Sequence, residues 1–387
     1  MESKEKKSSF KLKHYINYIV VFCAFALFTA LYYAGALNRS MPTLLNQIGY
    51  SVILAVSLNL VVGFLGELSL GHAGFMCIGA YLGTFMANLF LELGLGVVPA
   101  LLISMLIGGV AAGVFGFVVG LPALRLRGDY LAIVTLAFGE IIRNVCKNMP
   151  FFGGAQGLVS QIAKTNLGKN AFPLFVISFA FVLVMLFLVQ NLIRSKHGRA
   201  ITAIRDNEIA AKAMGINVTY YKLFIFIVSA VFAGVAGAIY GAGLTPVEYS
   251  AFSYNYSIEI LVMVVLGGMG SIGGSIASAT AITVINNFLK ANLEGDMAAI
   301  KTLIYALILI LIVVYKNAPA LKSFREKYDL KKMVAQLIRK KISPSTVNDD
   351  NAEWDVIPTK IEMNEILSTD LIVTESTMAP DKEDGNG

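Results

Sequence analysis

Charged side chains are scarce in this sequence. Asp, Glu, Lys and Arg make up 14% of its 387 residues, whereas ordinary soluble domains carry about 25%. This scarcity excludes a conventional water-soluble domain. Apolar residues take the place of charge: 56% of the chain is hydrophobic and the mean hydropathy is +0.70. Apolar runs of about 20 residues recur, which is the length that crosses a bilayer.

Cysteines and recognisable catalytic motifs are scarce as well. The three cysteines, Cys23, Cys77 and Cys146, have a spacing that fits neither a zinc site nor a disulfide framework, and we interpret them as buried apolar side chains. The sequence contains no HExxH, no GxSxG and no GxxxxGK[ST] phosphate-binding loop. These absences argue against an intramembrane enzyme. They also mean that ATP-driven transport would need an energy source in another subunit.

Ten apolar runs predict the membrane-spanning segments. A helix satisfies its own backbone hydrogen bonds, so a bundle of helices is the expected arrangement in lipid. The sequence therefore predicts an all-α polytopic membrane protein with about 8–10 transmembrane helices and both termini in the cytoplasm. The runs cover residues 16–37, 42–63, 69–91, 97–121, 129–146, 172–193, 223–243, 257–268, 275–291 and 300–316.

The two ends of the chain differ in composition from the transmembrane domain, residues 16–316. Residues 1–15 form a basic cytoplasmic N-terminus, and the run that follows is longer than a signal-peptide core, so we expect a retained first helix. Residues 317–341 predict a basic amphipathic juxtamembrane segment, with a solvated helix as the alternative. Residues 342–387 contain 11 acidic side chains and two lysines, which predicts a disordered tail.

Positive charge predicts the orientation of the bundle. With the N-terminus in the cytoplasm, ten crossings place the basic loops near residues 125–127, 194–212 and 316–341 on the cytoplasmic side, as the positive-inside rule requires. The net charge of +6 combines −9 in the tail with +15 elsewhere. We interpret the basic residues as topology signals in contact with the lipid bilayer, and we expect no nucleic-acid partner.

A polar insert, HGRAITAIRDNEIAAKAMGINVTYYK at residues 197–222, separates two apolar runs. Asp206 is a candidate N-cap and Gly215 a candidate C′ residue of one short helix over residues 207–214. About two turns are too few for an isolated helix to be stable. The insert therefore predicts a docking element that needs a partner outside the bilayer.

Glycine interrupts the apolar runs twice in the same pattern, GxxS[LI]G, at residues 66–71 and 268–273. Paired glycine-interrupted segments point to the central pathway of a transporter, and a pair of cytoplasmic turns is the alternative. For His72 we favour a structural bond to a backbone carbonyl over ligand contact. The pathway candidates are Gly66, Glu67, Ser69, Gly71, His72, Gly268, Ser271 and Gly273.

Other polar groups of the apolar region have mainly structural interpretations. Glu140 and Arg143 are three residues apart and can pair on one helix face. A substrate role is disfavoured for this pair and for Glu259. The glycine-rich residues 153–157 lie in a predicted outer loop, where they either contact an extracytoplasmic partner or form a flexible turn.

Four stretches resemble the ABC-importer permeases of the branched-chain amino acid (LivM-like) class, and their order along the chain matches too. They are GELSLGHAGFMCIGAY at 66–81, LRLRGDYLAIVTLAFGE at 124–140, GRAITAIRDNEIAAKAMGI at 198–216 and LGGMGSIGGSIASA at 266–279. Together they span most of residues 50–290. The resemblance implies a second, related permease subunit, two cytoplasmic ATPase subunits that hold ATP and Mg²⁺, and an extracytoplasmic substrate-binding protein. It implies no cofactor bound by this chain.

The same resemblance implies a coupling helix that docks on the ATPase. Ala210, Ala211 and Gly215 match the AAxxxG pattern of such helices, while Glu208 lies one residue farther from the alanines than in the common form. The coupling candidates are Gly198, Arg199, Ala200, Arg205, Asp206, Asn207, Glu208, Ala210, Ala211 and Gly215.

The implied function is that of a transport subunit of the inner membrane, not an enzyme. It would translocate leucine, isoleucine and valine by alternating access. The same machinery carrying urea, short amides or other amino acids is the first alternative. An ion-coupled secondary transporter is the second, and it would need Glu67, His72 or Glu140 as protonatable groups.

Overall fold

The computed structural model describes residues 18, 21–32, 41–126, 128–165, 172–292, 307 and 310, with the backbone alone at 290–292. Their regular elements are helices, and an isolated antiparallel bridge joins Leu158 and Val247. The predicted all-α fold is confirmed. The helices are α1 (Val21–Tyr32), α2 (Met41–Leu65), α3 (His72–Glu92), α4 (Val97–Ala123), α5 (Asp129–Asn148), α6 (Gln161–Lys164), α7 (Phe172–Arg194), α8 (Lys196–Asp206), α9 (Glu208–Ala213), α10 (Val218–Gly243), α11 (Tyr254–Gly267) and α12 (Ile272–Asn292). Short 3-10 turns cover Pro150–Phe152, Gly154–Gln156 and Tyr249–Phe252.

Six of the described helices are long and apolar enough to cross a membrane: α2, α3, α4, α7, α10 and α12. Two shorter apolar helices, α1 and α11, accompany them. The fifth predicted run does form a helix, α5, but Asp129, Glu140, Arg143 and Lys147 make it more polar than the six. The chain is therefore a polytopic membrane protein.

Several predicted segments lie outside the described residues. These are the basic N-terminus 1–15, the tenth run 300–316 apart from Leu307 and Ile310, the amphipathic segment 317–341 and the acidic tail 342–387. The total of 8–10 spans and the cytoplasmic position of both termini stay predictions.

α3, α4 and α10 form the most closely packed part of the bundle through glycine contacts. A Cβ on Gly79 of α3 would lie 1.9 Å from the carbonyl oxygen of Gly234 on α10. A Cβ on Gly108 of α4 would lie 2.9 Å from the carbonyl oxygen of Gly79. Lipid supplies no hydrophobic force between helices, so such small-residue contacts hold membrane bundles together through van der Waals packing.

α2 is buried along most of its length and ends in a π-turn, Leu60–Leu65. Around its end lie α8, the first helix of the polar insert, and α10. We call this side of the bundle the basic end, because Arg125, Arg194, Lys196, Arg199, Arg205 and Lys212 lie there.

At the opposite end, the loop after α5 folds onto the loop between α10 and α11. Leu158 and Val247 exchange two backbone hydrogen bonds of 3.1 and 2.8 Å. Asn88 of α3 donates to the carbonyl oxygen of Val159 at 2.8 Å and accepts from the backbone N–H of Gln161 at 2.9 Å. These bonds hold the glycine-rich residues 153–157 against the bundle as part of a compact cap.

Replacing Gly79 by alanine is expected to destabilise the bundle, because the new Cβ meets the backbone of α10 at 1.9 Å. Overpacking of this kind costs about 1–3 kcal/mol or more and will lower the melting temperature of the detergent-purified protein. Gly96→Ala is the matched control, since a Cβ there meets only the Pro99 ring at 3.6 Å. Equal melting temperatures for the two variants would contradict the close packing.

Candidate functional site

The first glycine-interrupted segment, residues 66–71, is non-helical and runs from the exposed Gly66 to the buried Ser69 and Gly71. His72, which begins α3, has its Nε2 atom 2.7 Å from Ser57 Oγ. Ser57 lies eight residues before the end of α2, which is about 12 Å along the helix axis. Residues 66–71 therefore run back alongside α2 into the membrane. We call them the embedded break.

Neighbouring helices accept hydrogen bonds from the backbone of the embedded break and of the first turn of α3. Thr135 of α5 accepts from the N–H of Leu70 at 3.0 Å, and Ser257 of α11 accepts from the N–H of Ala73 at 3.1 Å. Gly71 is required here because a Cβ would lie 2.5 Å from the carbonyl oxygen of Thr135. Irregular backbone at membrane depth is tolerated only where it is buried in protein or lines a cavity. The break meets that condition.

Two buried polar side chains in or beside the embedded break, His72 and Ser69, differ in their hydrogen-bond partners. His72 is buried and makes a structural hydrogen bond, but its partner is the hydroxyl of Ser57 and not the predicted backbone carbonyl. The carbonyl oxygen of Ser57 accepts in turn from Ser229 Oγ at 2.6 Å. Ser69 is also buried, and its hydroxyl has no hydrogen-bond partner among the described residues. Ser69 therefore has hydrogen-bonding capacity to offer inside the bundle.

The second glycine-interrupted segment has a different structure in spite of the shared pattern. Only Gly268–Ser271 leave the helical ladder, and Ile272 and Gly273 already belong to α12. Gly268 and Gly270 have φ values of +94° and +80°, and Met269 is 62% exposed. Of the two predicted alternatives, this segment has the geometry of a turn at the basic end.

A buried asparagine of α2 holds that turn. Asn59 is fully buried, and its Oδ1 accepts from the N–H of Gly270 at 2.9 Å. Its Nδ2 donates to Ser275 Oγ at 2.9 Å and to the carbonyl oxygen of Ser271 at 3.2 Å. Asn59 was not among the predicted site residues, because an asparagine within an apolar run carries no local signal of a partner more than 200 positions away.

The polar insert contains two helices, where one was predicted. α8 ends at Asp206 and α9 covers Glu208–Ala213. The N-cap prediction for Asp206 is wrong: Asn207 has extended backbone angles and its Oδ1 accepts from the N–H of Ala210 at 3.0 Å. Gly215 follows the helix with φ at +81°, which confirms its predicted C′ role.

The other coupling candidates fall on the two helices of the insert. Gly198 is buried at the start of α8, where Ser195 accepts from its N–H at 3.3 Å. Arg199 is exposed and Ala200 half-buried. On α9, Ala211 is buried and Ala210 is exposed. α8 therefore anchors the insert, and α9 presents most of its surface outward.

Arg205 ties α8 to the end of α2. Its Nη1 donates to the carbonyl oxygen of Gly63 at 3.0 Å, and its Nη2 pairs with Asp206 Oδ1 at 3.1 Å. The Arg205 side chain also packs so closely on Gly66, whose φ is +82°, that a Cβ there would lie 2.7 Å from Arg205 Cγ. Arg205 thus contacts the point where the embedded break begins.

Lys222, in the second turn of α10, joins both elements and was missing from the predicted site. Its Nζ atom lies 2.5 Å from Glu67 Oε1 in the embedded break and 3.1 Å from Glu208 Oε2 at the start of α9. The three residues come from distant parts of the chain. The sequence offered only the charge of Lys222 at the edge of an apolar run as a signal.

The remaining ionisable candidates have structural partners. Glu140 pairs with Arg143 at 2.7 Å, as the spacing predicts, and also accepts from the N–H of Tyr254 at 2.9 Å, at the N-terminus of α11. A carboxylate at a helix N-terminus is stabilising. Glu259 accepts from Asn286 Nδ2 at 3.0 Å. Cys77 and Cys146 are buried as expected, whereas Cys23 is exposed, contrary to that prediction.

A helical membrane bundle with a non-helical break between two of its helices, and a polar insert tied to that break at one end, has the architecture of a transport permease. More specifically, the chain belongs to the branched-chain amino acid transport system permease component family, whose model matches residues 40–313. This membership makes it a multi-pass protein of the inner membrane.

Individual relatives agree with the family. The chain is 36% identical over 273 residues to the high-affinity branched-chain amino acid transport system permease protein LivM of Salmonella typhimurium, covering 64% of this chain and 63% of that protein. It is 34% identical over 312 residues to LivM of Escherichia coli K12, covering 74% and 71%. It is 26% identical over 284 residues to the ribose import permease protein RbsC of Haemophilus influenzae, covering 71% and 84%. The match thus spans just under two thirds of the Salmonella protein. No solved structure matches.

Replacing Asn59 by leucine is expected to loosen the turn at Gly268–Ser271, because the N–H of Gly270 loses its side-chain acceptor. Each buried polar group left unpaired costs about 1–3 kcal/mol. Hydrogen exchange at residues 268–271, measured by mass spectrometry, will accelerate. Asn144→Leu is the control, since the exposed Asn144 only donates to a carbonyl oxygen of its own helix. Unchanged exchange in Asn59→Leu would show that the asparagine does not hold the turn.

Proposed function

We propose that this chain is the membrane-spanning permease subunit of an ATP-driven ABC importer. It would receive leucine, isoleucine or valine from an extracytoplasmic binding protein and translocate it by alternating access. Family membership and the names of the LivM relatives support the substrate class. The geometry of the polar insert supports the coupling to ATP hydrolysis.

The observation that carries the proposal is the exposed surface of α9. Ile209 is 78% exposed and Met214, which follows the helix, is 82% exposed. A helix of six residues is too short to be stable alone. Its exposed apolar side chains would be stabilised by burial against a partner protein. A cytoplasmic ATPase subunit with a socket for α9 would provide that burial.

The proposed assembly contains two cytoplasmic ATPase subunits, which bind ATP and Mg²⁺, and a second permease subunit. Movement of the ATPases would displace α9 and, through α8, Arg205. Arg205 contacts the carbonyl oxygen of Gly63 and packs on Gly66. Displacement would therefore reach the hinge between α2 and the embedded break. We propose that Gly66, Glu67, Ser69, Gly71 and His72 line or gate the pathway there.

The turn at Gly268–Ser271 would play a different part. Asn59 and the close approach of Gly63 to Gly270 connect the turn to the same end of α2. A Cβ on Gly63 would lie 2.2 Å from the backbone nitrogen of Gly270. We propose that the turn supports the hinge, so that α12 moves together with α2 when Arg205 is displaced.

An ion-coupled mechanism has less support. The three groups that it would use are each engaged: Glu67 by Lys222, His72 by Ser57 and Glu140 by Arg143. For the cargo, urea, short amides or other amino acids remain the alternative to leucine, isoleucine and valine. The chain is also similar to the ribose import permease RbsC, so permeases related to this chain are named for different substrates.

Replacing both Ile209 and Met214 by aspartate is expected to abolish co-purification of the ATPase subunits, because the docking surface loses its apolar side chains. The measurement is affinity purification of the permease from cells that express the whole transporter. The matched control is Leu93→Asp at the opposite end, where Leu93 is 67% exposed.

Recovery of the ATPase subunits with the double variant would rule out docking through α9, and recovery of none with the wild type would rule out the ABC assembly. The purified wild-type complex also tests the cargo. Leucine, isoleucine or valine with the binding protein will stimulate ATP hydrolysis, whereas stimulation by urea or amides instead would replace the proposed substrate class.

A further inference from the structure

Lys222 is the one buried lysine or arginine among the residues that the structure describes, with 4% of its surface exposed. Its ammonium is shared by two carboxylates, Glu67 and Glu208, on two separate elements. A buried charge without a partner is strongly unfavourable, whereas a paired one is tolerated. The three side chains are therefore interdependent, and a change in one alters the other two.

The two carboxylates are held differently. The Glu67 side chain is 14% exposed and lies closer to Lys222, whereas the Glu208 side chain is 35% exposed and lies 3.1 Å away. Glu208 belongs to α9, the helix with the exposed apolar surface. If α9 moves, the contact between Lys222 and Glu208 is the one that breaks, and Lys222 keeps Glu67.

A cavity beside this contact has a second cationic side chain, Arg125, in its lining. The cavity measures about 240 Å³ and is lined by Glu208, Lys222 and Arg125, together with Thr219 and apolar residues at the end of α4 and on α10. Arg125 is exposed and forms no ion pair among the described residues. Glu208 thus has Lys222 on one wall of an open space and an uncommitted guanidinium on another.

We propose that Glu208 is a switching carboxylate that exchanges between Lys222 and Arg125. Paired with Lys222, it ties α9 to the embedded break through the ammonium that also holds Glu67. Paired with Arg125, it releases the break while α9 stays attached to the end of α4. This inference rests on the proposed function, since it assigns the ATPase-driven motion of α9 to a particular ionic link. Lys222 and Arg125 are positioning residues in this scheme.

The test compares Lys222→Met and Arg125→Gln in the complete transporter reconstituted in proteoliposomes with its binding protein. Both variants are expected to retain the ATPase subunits, because neither alters Ile209 or Met214. Both will lower the number of amino acids transported per ATP hydrolysed by about tenfold, within the range typical of coupling between sites. Lys222→Arg keeps the charge and will restore most of that ratio.

Lys196→Met is the matched control, since Lys196 is exposed at the same end and its replacement makes the same charge change. Glu208→Gln serves as a second variant because it leaves the pair of Lys222 and Glu67 intact, which keeps a buried charge from being orphaned. It will lower the ratio as much as Lys222→Met does. Combining Glu208→Gln with Arg125→Gln will lower the transport-to-ATP ratio no further, because both substitutions block the same exchange of Glu208 between Lys222 and Arg125.

Three results would overturn the switch. One is a wild-type ratio in Lys222→Met or in Glu208→Gln. Another is a wild-type ratio in Arg125→Gln, which would leave Glu208 without a second partner. The third is loss of the ATPase subunits in Glu208→Gln, which would mean that Glu208 holds α9 in its docking position and does not exchange partners. Failure of the wild type to bind any ATPase would instead refute the proposed function.

Discussion

Backbone that leaves the helical ladder inside a membrane must find hydrogen-bond partners on neighbouring helices. In this structure, side chains of several helices supply those partners. Thr135 accepts from the N–H of Leu70 in the embedded break, and Ser57 and Ser257 bind His72 and Ala73 in the first turn of α3 that follows it. These partners lie on α5, α11 and α2. The break therefore fixes where these helices meet, and any movement of it must exchange these bonds together.

The basic end of the bundle connects that break to the polar insert through a few specific contacts. Arg205 contacts Gly63 and Gly66, while Lys222 joins Glu67 to Glu208. Elsewhere the bundle is held mainly by apolar packing and close glycine contacts. Ionic links can exchange partners at small cost when water reaches them, whereas packed glycine contacts cannot. This contrast separates a rigid core, α3 with α4 and α10, from a region suited to movement.

Much of the fold could be predicted from local patterns, because each transmembrane helix is encoded by its own apolar run. The break was visible as glycines between two runs, and Gly215 as the end of a short helix. The shared GxxS[LI]G pattern does not correspond to a shared structure, because the first segment runs into the bundle and the second is a turn held by Asn59. Asp206 and Asn207 are equally good caps locally, and the length of α8 decides between them. The pairing of Lys222 with Glu67 depends on packing across 155 positions, for which one sequence contains no signal.

The central claim is that the embedded break moves when the ATPases act on the polar insert. The most direct measurement places a cysteine at the buried Ser69, in a transporter whose Cys23, Cys77 and Cys146 are replaced by alanine. A membrane-impermeant thiol reagent is then applied with and without ATP, with Leu93→Cys at the exposed opposite end as reference. The account predicts that the modification rate at position 69 changes with nucleotide state while the rate at position 93 does not. The same rate at position 69 in both states would contradict it.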